Sequence, residues 1–138
     1  MPQGPQGPPG QVVLDIQRHW LGFMLSMITP TVVVDGRPIH GRWGHNAIVL
    51  PPGRHHLHVH LPYFLPSQIG PADLTIWLQP GMSLDVEYRA PLWAYSRGAL
   101  GPPPQQWNGM GITIALMAIP LGLLAFFFLL ILMSVLWA

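Results

Sequence analysis

The sequence predicts a mainly β fold: a small antiparallel β-sandwich of six or seven strands followed by one C-terminal transmembrane α-helix. Three observations carry this reading. Apolar and polar residues alternate with period two in several short runs between residues 11 and 92. Turn signals rich in Gly, Pro and Asp-Gly separate those runs. The chain then changes character: its six basic and five acidic side chains all precede Gly98, and 112–137 is one apolar run.

The elements follow in order. Residues 1–10, MPQGPQGPPG, lack the apolar side chains that nucleate a core and are expected to form a disordered Pro/Gln/Gly-rich tail. The β domain is expected over 11–92. Val12, Leu14 and Ile16 are apolar with Asp15 and Gln17 polar, and Leu57, Val59 and Leu61 alternate with histidines. Leu74, Ile76 and Leu78 form a third set, and Leu84, Val86 and Tyr88 a fourth. Period two places each set on one face of a strand. Asp35-Gly36 follows the strand 31–34, and Pro52-Gly53 follows 47–50. Pro80-Gly81 is expected to close an antiparallel hairpin of 73–79 with 83–89. Pro62, Pro66, Gly70 and Pro71 mark a longer loop, and Gly22–Ile28 is a weaker candidate strand.

Residues 93–110, with Gly101-Pro102-Pro103-Pro104, are expected to be an extended linker. The transmembrane helix is placed at 111–138, longer than the roughly 20 residues needed to cross a bilayer. Trp107 and Trp137 bracket it as interfacial anchors. Pro120 lies inside it, where a membrane helix tolerates a kink. Gly111, Ala115, Ala118 and Gly122 form a small-residue stripe suited to packing against another helix.

Composition excludes several function classes. A net charge of +1 lacks the basic stripe that nucleic-acid binding requires. With no cysteine, disulfides and zinc-thiolate sites are excluded. The N-terminal residues show neither a basic nor an apolar signal region. Arg89 and Arg97 precede the span, so the expected topology is a tail-anchored single-pass protein of the plasma membrane with its domain on the cytoplasmic side.

Between residues 31 and 89 the pattern resembles PEGA-like domains and their carboxypeptidase-regulatory-like relatives. The residues that carry it are Thr31-Val32-Val33-Val34-Asp35-Gly36, then Leu50-Pro51-Pro52-Gly53-Arg54-His55-His56-Leu57-His58-Val59, then Pro80-Gly81 and a last strand. In that pattern Gly36 serves the first turn, and Gly53 and His55 form the Gly-x-His step. The Pro-Glu-Gly-Ala tetrapeptide is absent; Arg42-Trp43-Gly44-His45-Asn46 stand in the corresponding place. The layout as a whole is similar to small membrane proteins of actinobacteria. The resemblance implies a non-catalytic binding or structural module.

The conspicuous chemical feature is a strand of histidines. His56, His58 and His60 are expected on one face, with His55 on the apolar side. They are candidate metal ligands, with Asp85 or Glu87 as a further donor from another strand. Same-face neighbours are about 6.7 Å apart, so two converge more easily than three. The other readings are a pH-sensing or anionic-lipid-binding face and a plain solvated strand. No nucleophile elbow, phosphate loop or dinucleotide fingerprint is present, so neither an enzyme nor a cofactor is expected; an Asp35–His–Ser triad is only a sketch. Trp77 should point outward as a contact anchor.

The functional expectation is therefore an accessory or scaffold module that binds a protein partner at the membrane surface. The alternatives are a metal- or pH-responsive sensor, or an envelope-facing domain for lipid or polysaccharide if the topology is reversed.

Overall fold

The computed structural model describes residues 7–64 and 66–138, with the backbone alone at Leu21. Residues 1–6 of the expected tail lie outside that range. Eight strands are present: β1 (Gly10–Gln17), β2 (Thr31–Val34), β3 (Arg37–His40), β4 (Gly44–Leu50), β5 (Gly53–Pro62), β6 (Gln68–Leu78), β7 (Ser83–Arg89) and β8 (Ala99–Gly101). One helix follows, α1 (Met110–Leu136).

The strands form two four-stranded sheets, ordered β4-β1-β7-β8 and β3-β2-β5-β6. All pairings are antiparallel except β1 with β7. The alternating apolar sets meet between the sheets. Val12, Leu14, Ile16, Val86 and Tyr88 face Val32, Val34, Leu57, Val59, Leu61, Ile76 and Leu78, and all are buried. Each such side chain contributes about 1.5–3 kcal/mol by leaving water, which makes this face-to-face closure the main stabilising term.

Several expectations are corrected. Strands 73–79 and 83–89 do not pair with each other: β6 lies in one sheet and β7 in the other. Pro80-Gly81 carries the chain across the sandwich, and β7 pairs in parallel with β1. Alternation marks an inward face, but two consecutive strands sharing one core show the same pattern whether they pair or face each other. Gly22–Ile28 is not a strand: Trp20–Met27 is 3₁₀ helix, interrupted at Gly22. β3 was not foreseen because Arg37-Pro38-Ile39-His40 is exposed throughout and shows no alternation. Its pairing is set by the turn before it, where Asp35 and Gly36 both have positive φ, 49° and 82°, as a two-residue type I′ connection requires. The stretch 93–110 is not wholly extended linker, since β8 within it pairs with β7. Pro8 is not free of the domain either; its carbonyl accepts from the Gly81 amide at 3.2 Å.

The strand registers define two ends of the sandwich. At one end, Gly10 lies beside Leu50 and Gly53 beside Leu78, so the Asp35-Gly36, Pro51-Pro52 and Pro80-Gly81 turns cluster there. At the other, Ile16 lies beside Gly44, Thr31 beside His60, Pro62 beside Gln68 and Arg89 beside Ala99. The 3₁₀ segment and the 62–68 and 90–98 loops gather at this second end, and α1 leaves from it. The exit is tied down. The Leu92 amide donates to the Asn108 carbonyl at 2.9 Å, and Asn108 Nδ2 donates to the Arg97 carbonyl at 3.0 Å.

Tyr88 bolts the sheets together near that exit. It is fully buried, and its hydroxyl donates to the Gly70 carbonyl at 2.7 Å. Burial pushes its phenol well above its ordinary range, so the hydroxyl stays a donor. Gly70 has φ +61°, and a Cβ there would run into Pro91 and the Tyr88 hydroxyl; one on Gly98 would run into the Tyr88 ring. Tyr88→Phe leaves the Gly70 carbonyl unpaired in the core. The expected cost is about 1–3 kcal/mol in chemical denaturation, and an unchanged midpoint would show that the bond contributes nothing.

Candidate functional site

Two features of the sheet β3-β2-β5-β6 carry the polar chemistry. The first is its outer face. β5 turns Leu57, Val59 and Leu61 inward and His56, His58 and His60 outward. His58 stands opposite Asp73 of β6, and His56 opposite Thr75. The imidazoles make local contacts. His58 Nδ1 lies 2.9 Å from Asp73 Oδ1, and His58 Nε2 lies 3.0 Å from His60 Nδ1. His56 Nε2 reaches the same Asp73 oxygen at 3.2 Å.

The candidate metal ligands His56, His58 and His60 thus share one face with Asp73. Among the described residues no three His, Asp or Glu side chains are arranged to hold a metal ion. Both nitrogens of His58 are already engaged, and the carboxylate beside the row is Asp73. Asp85 and Glu87 lie on β7, in the opposite sheet, where Glu87 pairs with Arg89. The arrangement is a hydrogen-bonded row, Asp73–His58–His60. His60 is pushed below the ordinary histidine value by burial and by the neighbouring His58.

The second feature is the ion pair between Asp35 and His55, at the end of the sandwich away from α1. His55 is 7% exposed. Its Nδ1 lies 2.5 Å from Asp35 Oδ2, and its Nε2 lies 2.6 Å from the Pro51 carbonyl. A neutral imidazole has one N–H, so two acceptors on two nitrogens call for the doubly protonated ring. Burial alone would lower the His55 value, but Asp35 and the Pro51 carbonyl outweigh it, and the net shift is upward. Asp35 also accepts from the His56 amide at 2.8 Å, and its own amide donates to the His56 carbonyl at 2.9 Å. The hydrogen bond from His55 and then that from the His56 amide hold its carboxyl below the usual range. The pair fastens the β2–β3 turn to the start of β5, and no serine takes part.

His55 also lines a groove of about 510 Å³ between the edge strands β3 and β4. Val34, Ile39, Ile48, Val49 and Leu50 make most of its wall, with Arg37 and Asp35 at the rim. An open apolar groove between two strand edges suits an extended peptide or apolar side chains. Sequence reasoning missed it because β3 was not recognised as a strand.

No protein-family model matches this chain, and no curated protein matches it in sequence.

Of the remaining expected residues, all but Trp77 fall at or beyond the α1 exit. Trp107 is half-buried against the domain, under Arg89 at 4.7 Å and edge-on to His19 at 5.1 Å. Trp137 is exposed at the far end of α1, and Pro120 lies inside the helix. Gly111 and Gly122 have open space around them, so among the described residues nothing packs on the stripe they form with Ala115 and Ala118. Trp77 points outward from β6, 70% exposed and opposite Arg54.

The ion pair makes stability depend on pH with a definite sign. The raised His55 value contributes stability that is complete below its unfolded value near 6.5 and is lost as pH rises through the folded value. The lowered Asp35 value contributes stability present above 3.8 and lost as pH falls through its folded value. His60, shifted the other way, adds an opposite slope, so the comparison must be with a variant. The stability difference between wild type and Asp35→Asn should be largest between about pH 4 and 6.5 and shrink above that window. A difference that stays constant to pH 9 would exclude a charged His55.

Proposed function

We propose that this chain is a single-pass membrane protein whose β-sandwich is a non-catalytic module, held at the membrane surface as an accessory or scaffold for a protein partner. The observation that carries this is α1. It has 27 residues with a mean hydropathy of 2.8 over its most apolar window, and none of them is buried. At 1.5 Å per residue it is about 40 Å long, more than the roughly 30 Å of a hydrocarbon core. A helix apolar all round and uncovered by its own chain needs lipid or other helices around it.

The binding role is supported by the groove between β3 and β4, by the exposed Trp77 and by the unpartnered stripe on α1. Arg89 and Arg97 beside the span favour a cytoplasmic domain at the plasma membrane. The full chain should float with membranes after an alkaline carbonate wash, and protease added to intact cells should leave the domain uncut. Cross-linking in native membranes should capture a defined membrane partner, and the paired change Ile39→Arg and Val49→Arg should lose it. Both side chains are exposed, so folding is spared. Extraction by carbonate would remove the span, and capture of nothing specific would remove the accessory role.

One observation favours a second reading, a pH-responsive module: His60, bonded to His58 in the row that ends on Asp73, is shifted from its ordinary value by burial and by that neighbour. Partner capture should then change between roughly pH 5.5 and 7.5, and His58→Gln should flatten the change. A flat profile in the wild type disposes of this reading.

A further inference from the structure

We propose that the end of the sandwich from which α1 departs is a second membrane contact, an aromatic foot that inserts into the headgroup region of the bilayer α1 crosses. The proposal rests on the reading of α1 as a membrane span and adds to it a docked orientation of the β domain.

The foot is assembled from segments distant in sequence. The 3₁₀ segment, Trp20-Leu21-Gly22-Phe23-Met24-Leu25-Ser26-Met27, carries no charge. Leu25 and Ile28 turn inward and pack on the core, while Trp20, Phe23, Met24 and Met27 turn outward. Trp20 is 73% exposed and Met27 83%. The 62–68 loop adds Tyr63 and Phe64, the latter 81% exposed. The 90–98 loop adds Tyr95, also exposed. Met24, Met27, Tyr63 and Ala94 line one shallow hollow, so the three segments meet. Elsewhere the exposed large apolar residues of the described domain are Ile39 and Val49, which line the groove between β3 and β4, and Trp77 on the outer face of β6.

Four observations assign the patch to lipid and not to a second protein surface. First, it lies at the end where α1 starts, as the strand registers require. Second, the chain leading into α1 has no slack. Trp107 is held by Arg89 and His19, Asn108 is bonded to Leu92 and Arg97, and a Cβ on Gly109 would run into Trp93. A domain fastened this closely to a span keeps this end near the interface. Third, tryptophan, tyrosine, phenylalanine and methionine are the residues that partition into that region, each with an apolar body, and the first two with a polar atom for the headgroups.

Fourth, the charges around the patch have one sign. The segments 18–30, 40–43, 62–68, 90–98 and 102–109 contain Arg18, Arg42 and Arg97 and no carboxylate. Arg89, at the end of β7, is paired with Glu87. Arg42 and Arg97 are exposed, and Arg18 is half-buried over Trp43; arginines at the edge of an apolar patch complement anionic headgroups.

The absence of cysteine makes the test direct. Single cysteines are introduced in the full chain as Met27→Cys, Phe64→Cys, Val49→Cys and Leu124→Cys, and each is labelled with the environment-sensitive fluorophore NBD. All four residues are exposed. The proteins are reconstituted in phosphatidylcholine–phosphatidylglycerol vesicles carrying nitroxide lipids labelled either near the headgroup or near the chain end. Emission at 27 and 64 should shift to the blue and be quenched more by the shallow nitroxide, as expected for insertion about 5–10 Å below the headgroups. Position 49, at the opposite end, should behave as in water, and position 124 should be quenched more by the deep nitroxide.

Quenching at 124 with none at 27 and 64 overturns the foot and leaves the span standing. Shallow quenching at 27 and 64 without deep quenching at 124 supports the foot and overturns the span. A blue shift at 27 and 64 without quenching by either lipid means that protein covers the patch, which overturns the proposal in favour of a second copy of the chain. No quenching at any position removes both.

Discussion

Cover for α1 is the constraint on which the rest of this architecture depends. Its 27 residues carry no charged group, and the sandwich buries none of them. The two sheets already fill each other's inner faces, so no apolar surface is left inside the domain to receive a helix. Among the described residues none covers it. The need for cover gives the soluble part a polarity. One end of the sandwich is fastened to the base of α1 through Leu92, Trp107 and Asn108; the other carries the Asp35–His55 pair and the groove between β3 and β4.

The two ends are built by different physics. Near α1 the sheets are joined by Tyr88, a fully buried ring whose single polar atom bonds Gly70, with Gly98 admitting the ring closely. That joint is apolar and insensitive to pH in any ordinary range. At the far end the joint is electrostatic. Asp35 collects the His55 ring and the His56 amide, and the Pro51 carbonyl completes a site that fits only a charged imidazole. Asp35 sits at φ 49°, a conformation that Asp tolerates better than most residues, and thereby turns its carboxylate back over the strand it caps.

Much of this was legible in the sequence, and what was not has identifiable causes. Alternation gave the inward faces of β1, β5, β6 and β7, because a buried face leaves a period-two trace. It also placed His55 on the opposite side from His56, His58 and His60. It could not distinguish a hairpin from a crossing at Pro80-Gly81, since both sheets look toward the same core. β3 and β8 left no trace: one is exposed along its length, and the other has three residues in a Gly/Pro-rich stretch. The partner of the histidine row was misassigned for the same reason. Asp85 and Glu87 alternate as well as Asp73 does, and only the register places Asp73 beside His58. The apolar run at Gly22–Ile28 was visible, but its 3₁₀ form and outward face follow from its position outside both sheets.

The histidine row spans the distance between the two ends. β5 advances about 3.3 Å per residue, so His60 lies roughly 13 Å closer to the α1 end than His56. Its opposite residue, Thr31, is the first of β2, at the level where the 62–68 loop begins. A negatively charged membrane surface concentrates protons and cations within about a Debye length, about 8 Å at physiological salt. If the foot rests on such a surface, the histidines along β5 sit at graded distances from it. His60, whose burial and neighbour disfavour its charge, lies nearest the surface that favours charge. The two influences oppose each other there. A module docked this way would couple protonation of His60 to its seating on the membrane. A domain held away from the bilayer on a loose linker would not.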